Sequence, residues 1–361
     1  MSELDPETSY ASRRVSRGSG RGRRLAPRVF GVGVFLIGVA AVFAVVAASL
    51  HLRLPFGINA PHRSSADGSP SDHGTHGHSQ GLNLKTAKLA ALVAPASRVA
   101  AVAQGSDGAL FLGGYDAGGA PTDTIQTLTD TSVHASGTLP GADASAVAAT
   151  LAQSVYLFGG IGSTIYQVTP TGTNVVGSLP TATADAAIAT VGDTAYIIGG
   201  YTGTSDLNTI VAFTPPGTLS VVATLPVPLR LATATALDGL VYIIGGATNG
   251  VASATVYRFD PATKTVTTFT QLPHARESES AATLDGKIIV AGGKTTPTAV
   301  RTRAIYVLDP HTRAVSLGGL LPIALSGMAA VDGQNQVLLA GGSPTNGDAT
   351  DSIYSVTLKG R

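Results

Sequence analysis

Six times between Leu110 and Gly342 a short apolar run ends in a pair of glycines. The runs are Leu110-Phe111-Leu112-Gly113-Gly114, Tyr156-Leu157-Phe158-Gly159-Gly160, Tyr196-Ile197-Ile198-Gly199-Gly200, Tyr242-Ile243-Ile244-Gly245-Gly246, Ile288-Ile289-Val290-Ala291-Gly292-Gly293 and Val337-Leu338-Leu339-Ala340-Gly341-Gly342. Their first glycines lie 46, 40, 46, 47 and 49 residues apart. Periods of that length mark a stacked or radial array of one supersecondary unit. A proline precedes each pair at nearly fixed distance: Pro95 by 18 residues, and Pro140, Pro180, Pro226, Pro273 and Pro322 by 19 each.

The unit reads as β-structure. In the fifth repeat, Ser278 to Leu284 is a small-residue strand, Asp285-Gly286 a tight turn, and Lys287 to Ala291 the strand that ends at the glycines. Asp-Gly between two apolar runs signals a hairpin, because a type I′ turn needs positive φ at both central residues. The device recurs as Asp238-Gly239 and Asp332-Gly333, and in variant form as Gly192-Asp193 and Asp107-Gly108. A third strand follows each pair, as in Ile210-Val211-Ala212-Phe213 and Val256-Tyr257-Arg258-Phe259, and a fourth, such as Thr265 to Leu272, leads to the next proline. Four antiparallel strands per repeat make a propeller blade, and six repeats make six blades. The first strand of each is alanine-rich (Val99 to Ala103; Ala232 to Ala236), as expected where blades converge. The last repeat stops after its third strand, while Lys88 to Ala94 stands unassigned before Pro95. That piece is expected to supply the missing outer strand, which would remove the exposed edge of an open array; a helix over Leu84 to Ala94 is the alternative.

Composition agrees and excludes. Gly reaches 44 and charged residues only 12%, which suits short strands joined by tight turns, and no 3.6-residue periodicity persists after residue 90. A net charge of +1 with no basic, aromatic-laced stripe argues against nucleic acid as a partner. Cys is 0, so there is no disulfide framework, thiolate metal site or thiol nucleophile. No cofactor is expected.

The N-terminal region is of another kind. Residues 1–28 carry seven arginines against three acids, with Gly and Ser between, and are expected to be a disordered basic tail. Val29 to Leu50 is 22 residues without charge or proline, enough for a membrane-spanning helix of roughly 30 Å. The arginines place the tail in the cytoplasm and the rest of the chain on the far side, as a single-pass plasma-membrane protein. Residues 51–81, rich in Pro, Gly, Ser and His, then form a flexible tether to a propeller over 82–361. A cleaved signal peptide, with Ala47-Ala48 near the cut, is the rival of the anchor. Within the tether, Asp72, His73, His76 and His78 read as soluble linker or as a transition-metal tract.

The repeat resembles the kelch repeat: four apolar residues, Gly-Gly, an aromatic-bearing strand, a turn, and Leu-Pro-x-x-Arg opening the next unit. Tyr257-Arg258-Phe259-Asp260-Pro261-Ala262-Thr263, Tyr306-Val307-Leu308-Asp309-Pro310-His311-Thr312 and Leu272-Pro273-His274-Ala275-Arg276 match it best. Kelch blades usually carry a tryptophan after the Asp-Pro turn, where this chain has Val266 and Val315. The resemblance implies a divergent, bacterial, all-β six-bladed kelch-like propeller, here preceded by one transmembrane helix, and a partner-binding face.

In a hairpin, the start of the first strand and the end of the second share one end. Residues after each proline and after each glycine pair therefore crowd one face of the ring. These are Arg98, Asp143, Asp185, Arg230, Arg276 and Glu277 from the first set, and Tyr115, Tyr201, Asn249 and Lys294 from the second. Arginine and tyrosine are common interface anchors, although Arg98 and Arg276 also suit blade packing. The function expected is a non-catalytic module, displayed outside the membrane, that binds an envelope or extracellular protein, peptide or glycan. The alternative is a carbohydrate enzyme resembling the six-bladed sialic acid mutarotases, with His274, Arg276 and Glu277 as an acid/base cluster at the channel mouth. A copper radical oxidase of the galactose oxidase kind is excluded, because its cofactor needs a cysteine.

Overall fold

The computed structural model describes residues 82–345 and 347–360. The basic tail, the apolar segment 29–50, the tether and its histidines lie outside the described residues. Among those described, no helix is long and apolar enough to cross a membrane.

Six antiparallel sheets follow one another along the chain, and each begins with a short inner strand: Ala100–Gln104, Ala146–Leu151, Ala187–Val191, Thr233–Leu237, Ser280–Leu284 and Ala329–Asp332. Five sheets are built from consecutive strands alone, the fourth gaining a two-residue strand, Ala247–Thr248. The sixth is closed by the chain's other end: Leu84–Ala91 pairs antiparallel with Ser352–Leu358, from Leu84 opposite Leu358 to Ala91 opposite Ser352. The clasp expected from the strand count is present, as a strand rather than a helix, although it begins and ends earlier than the Lys88 to Ala94 read from the sequence.

No single core fills the ring. The buried side chains form six clusters, and each one joins two neighbouring blades. Between blades two and three, for example, Phe158 meets Phe213 edge-on at 5.2 Å. Every strand face that points to a neighbouring blade must be apolar, which is why the second strands read as unbroken hydrophobic runs. Each outer strand drops one leucine into this layer: Leu92, Leu139, Leu179, Leu225, Leu272 and Leu321, none more than 4% exposed. Burying one such side chain stabilises by about 1.5–3 kcal/mol.

The leucines also correct the proline spacing. Five are followed directly by proline, but Leu92 is followed by the exposed Val93, so Pro95 stands two residues past the equivalent place. The first hairpin hides half of that offset: its turn has three residues, Gly105 to Asp107, where the second to fifth have two, so the proline-to-glycine spacing is shortened by only one residue. The prolines are tolerated because the outermost strand has no further neighbour needing its N–H. Ser132–Asp143 and Thr265–Arg276 run straight through Pro140 and Pro273.

Turn chemistry is partly as read. Asp238-Gly239 (φ 53° and 75°) and Asp285-Gly286 (52° and 69°) are left-handed at both residues. Asp332-Gly333 is not such a turn: four residues separate the strands, and the Asp332 carboxylate accepts the Thr283 N–H of blade five. Burial raises the pKa of that carboxyl. At Gly192-Asp193 only the glycine has positive φ, and Asp107 accepts a hydrogen bond from Gln336 of blade six. Several of these aspartates latch blades together on the ring's second face.

The glycine pairs have a different task. The second glycine of a pair donates its N–H to a carbonyl of the segment that leads into the next blade: Gly114 to Asp143, Gly160 to Thr183, Gly200 to Leu229, Gly293 to Leu325 and Gly342 to Ala96, at 2.8–2.9 Å. All these glycines have positive φ, and a Cβ on the first of each of these pairs would run into that same carbonyl. Close backbone approach between blades, as much as the turn itself, demands glycine. Blade four departs from the pattern: the Glu279 carboxylate from blade five packs on Gly245, with the Gly246 amide helping to hold its charge.

Candidate functional site: the channel mouth

Just before each inner strand one residue adopts a left-handed conformation: Arg98, Ser145, Asp185, Leu231, Ser278 and Gly327, with φ from 48° to 66°. Their backbones form a closed hoop. Ser145 N–H donates to Arg98, Asp185 to Ser145, Leu231 to Asp185, Ser278 to Leu231, Gly327 to Ser278 and Arg98 to Gly327, at 2.7–3.3 Å. Six successive blades thus tie their loops into one ring of hydrogen bonds around the channel. These N–H and C=O groups satisfy one another, so the mouth presents side chains rather than free backbone polar groups. The channel below is a cavity of about 190 Å³ in whose wall alanine is the commonest residue.

The positions expected on this face sort into three sectors. In the first, Arg98 reaches over blade two to Asp185, with Nη1 3.1 Å from Oδ1, and its guanidinium lies 5.9 Å from the Tyr115 ring centre. In the second, Arg230 stacks on Tyr201 at 4.6 Å and pairs with Asp206 at 3.4 Å, while Asp206 accepts the Asn249 N–H. Tyr201, Asp206, Arg230 and Asn249 border a recess of about 310 Å³. In the third, Lys294 pairs with Glu277 at 3.2 Å.

Two expected residues turn inward. Arg276 is 2% exposed; it donates to the Gly292 carbonyl and stacks on Tyr306 at 4.8 Å, so it cements blades four and five. Asp143 holds the equivalent place in blade two, where its carboxylate accepts the Ile161 N–H and covers Gly160; burial raises its pKa. The trio His274, Arg276 and Glu277 therefore does not converge. His274 is exposed on an outer strand, Arg276 is buried, and Glu277 is held by Lys294. Among the described residues no group of three His, Cys, Asp or Glu is placed to hold a metal ion.

Sequence reasoning missed Asp206, Ser278, Glu279 and Arg301. Asp206 and Arg301 lie six and eight residues beyond their glycine pairs, on returns of unequal length that the repeat does not align. Glu279 occupies a place that is apolar in the other five blades: Val99, Ala146, Ala186, Ala232 and Met328. Neither of its carboxylate oxygens has a hydrogen-bond partner of full geometry. Burial drives its pKa well above the ordinary value, against the opposing pull of nearby amides and of Arg276.

Comparison with known proteins agrees with this architecture. The family described as KLHDC2/KLHL20/DRC7 Kelch-repeats domain matches residues 171–342. Residues 171–342 thus carry kelch repeats, within a six-bladed β-propeller. Among solved structures, the one titled "Structure of YjhT" superposes with a TM-score of 0.66 at 15% identity, covering 75% of this chain and 97% of that one. At that identity the likeness concerns the fold. No curated protein matched the sequence.

Proposed function

We propose that the protein is a non-catalytic binding module that takes a protein, peptide or glycan ligand on the mouth face of its propeller. The observation that carries this reading is the Tyr201–Arg230 recess. There an aromatic ring and a guanidinium, both part-exposed, stand beside a carboxylate around some 310 Å³ of open space. Tyrosine and arginine supply rigid, amphipathic contact area, the usual anchors of recognition. The backbone hoop keeps the six loops in fixed relation, so little ordering entropy is lost on binding. An enzymatic reading resembling the sialic acid mutarotases requires an acid and a base converging on one sugar, and the side chains suggested for it point three ways. The apolar stretch 29–50 behind seven arginines supports display of the propeller outside the plasma membrane on a single-pass anchor.

The test is ligand capture by the full-length protein from envelope proteins, peptides and glycan arrays, compared with Tyr201→Ala and Arg230→Ala. Loss of an anchor residue of this kind weakens binding by about tenfold or more. A ligand that binds both variants as tightly as the native protein would overturn the assignment of this face.

A further inference from the structure

Between blades five, six and one, a second, smaller recess of about 60 Å³ opens beside the hoop. It is lined by Arg98, Lys294 and Arg301 together with the hydroxyl-bearing Ser278, Ser326 and Ser343. Three cations around a space of this size repel one another unless anions answer them. Asp185 answers Arg98 and Glu277 answers Lys294. Arg301 has no carboxylate within ion-pair range among the described residues, and its Nε donates only to the Ser326 hydroxyl at 3.0 Å. Three positive and two negative charges leave one positive charge unbalanced (+3 − 2 = +1).

A second observation comes from Ser278. It is 8% exposed, its Oγ is buried, and that oxygen has no hydrogen-bond partner, although the residue borders both this recess and the channel cavity. A buried hydroxyl left unpaired costs about 1–3 kcal/mol. Ser278 is also a hoop residue with φ 56°, so its Cβ is fixed by the closed ring and only rotation about χ1 can move the hydroxyl. A donor without an acceptor, beside a cation without an anion, describes the complement of a small oxyanion.

We infer that this recess is a binding site for one monoanionic oxygen group, a carboxylate, held by Arg301 and the Ser278 hydroxyl with Arg98 and Lys294 at its sides. The inference rests on the reading that the mouth face is the binding face, and it gives the ligand a negatively charged anchor point. A planar guanidinium with free N–H groups suits the two oxygens of a carboxylate. The neighbouring Asp185 and Glu277 carboxylates disfavour a dianion.

Trifluoroacetate is the probe, read by fluorine NMR line broadening with the full-length protein at constant ionic strength. The native protein should broaden the signal saturably, and unlabelled acetate should reverse the broadening while sulfate reverses it less well. Arg301→Gln and Ser278→Gly, the latter chosen because glycine accepts the left-handed conformation, should each weaken binding about tenfold. Lys264→Gln, a charge change at an exposed turn, should leave it unaltered. Urea midpoints within error of the native value establish that both site variants fold. Equal broadening by Arg301→Gln and native protein, or no saturable broadening by the native protein, overturns the carboxylate site. Ligand capture that still depends on Tyr201 and Arg230 in that event would show that the face reading survives without it.

Discussion

A single methyl group at the ring's closure tests whether glycine pairs serve the turn or the blade interface. Gly341 belongs to blade six and has φ 67°; its neighbour Gly342 donates to the Ala96 carbonyl of blade one at 2.8 Å. A Cβ on Gly341 would collide with that carbonyl oxygen and lie 3.1 Å from its carbon. Gly192, at a hairpin tip with φ 57°, has nothing within 4 Å of its own imaginary Cβ. Replacing either by alanine brings the left-handed penalty, about 1–2 kcal/mol. Only Gly341→Ala also pushes two backbones apart. That separation removes the Gly342 hydrogen bond, worth about 0.5–1.5 kcal/mol net, and loosens packing around Leu92. The expected loss is about 1–2 kcal/mol for Gly192→Ala and about 2–4 kcal/mol for Gly341→Ala. Urea denaturation followed by circular dichroism, with equal slopes, measures the difference. Equal losses would mean that backbone conformation alone explains the doublet and that the interblade contact contributes nothing.

Other expectations follow from particular side chains. Glu279 is fully buried and its folded pKa lies above the ordinary 4.5, so the folded state holds its proton more tightly than the unfolded state does. Its contribution is therefore most favourable below 4.5 and is lost as pH rises toward the folded pKa. Glu279→Gln should be more stable than native protein at pH 8, with the gap shrinking as pH falls to 4.5; urea midpoints showing a pH-independent gap would refute this. Leu92→Ala should cost about 2–5 kcal/mol, like Leu321→Ala in the neighbouring cluster, because Leu92 closes the ring although it precedes the first repeat. A much smaller loss for Leu92 would mean that the clasp frays. Asp185→Asn should change the urea midpoint by no more than about 1 kcal/mol, since Arg98 is about one-third exposed in that ion pair; a larger cost would make the pair structural.

How much of this could be read from the chain depends on what the repeat constrains. Blade number, strand order and the clasp were legible because each rests on something every blade must satisfy: an apolar second strand between two neighbours, and a glycine pair where backbones meet. Blade one broke the proline rule, since Pro95 occupies a loop position while Leu92 does the packing. The leucine, not the proline, is what the interblade layer requires. The mouth was legible only as a place. Hairpin geometry put Arg98, Asp185, Tyr201, Arg230 and Lys294 on one face, yet it could not separate them from Arg276 and Asp143. Those two stand only two residues before the hoop position, and at that spacing the side chain enters the blade interface. Features peculiar to this chain arise where a repeat is violated: a carboxylate at Glu279 in an apolar register, and an arginine at Arg301 on a return of irregular length. The repeated geometry of the hoop offers nothing to a ligand, since its backbone polar groups are spent on one another. A ligand on this face would be distinguished by such departures, and Glu279 and Arg301 both belong to blade five, close to Ser278.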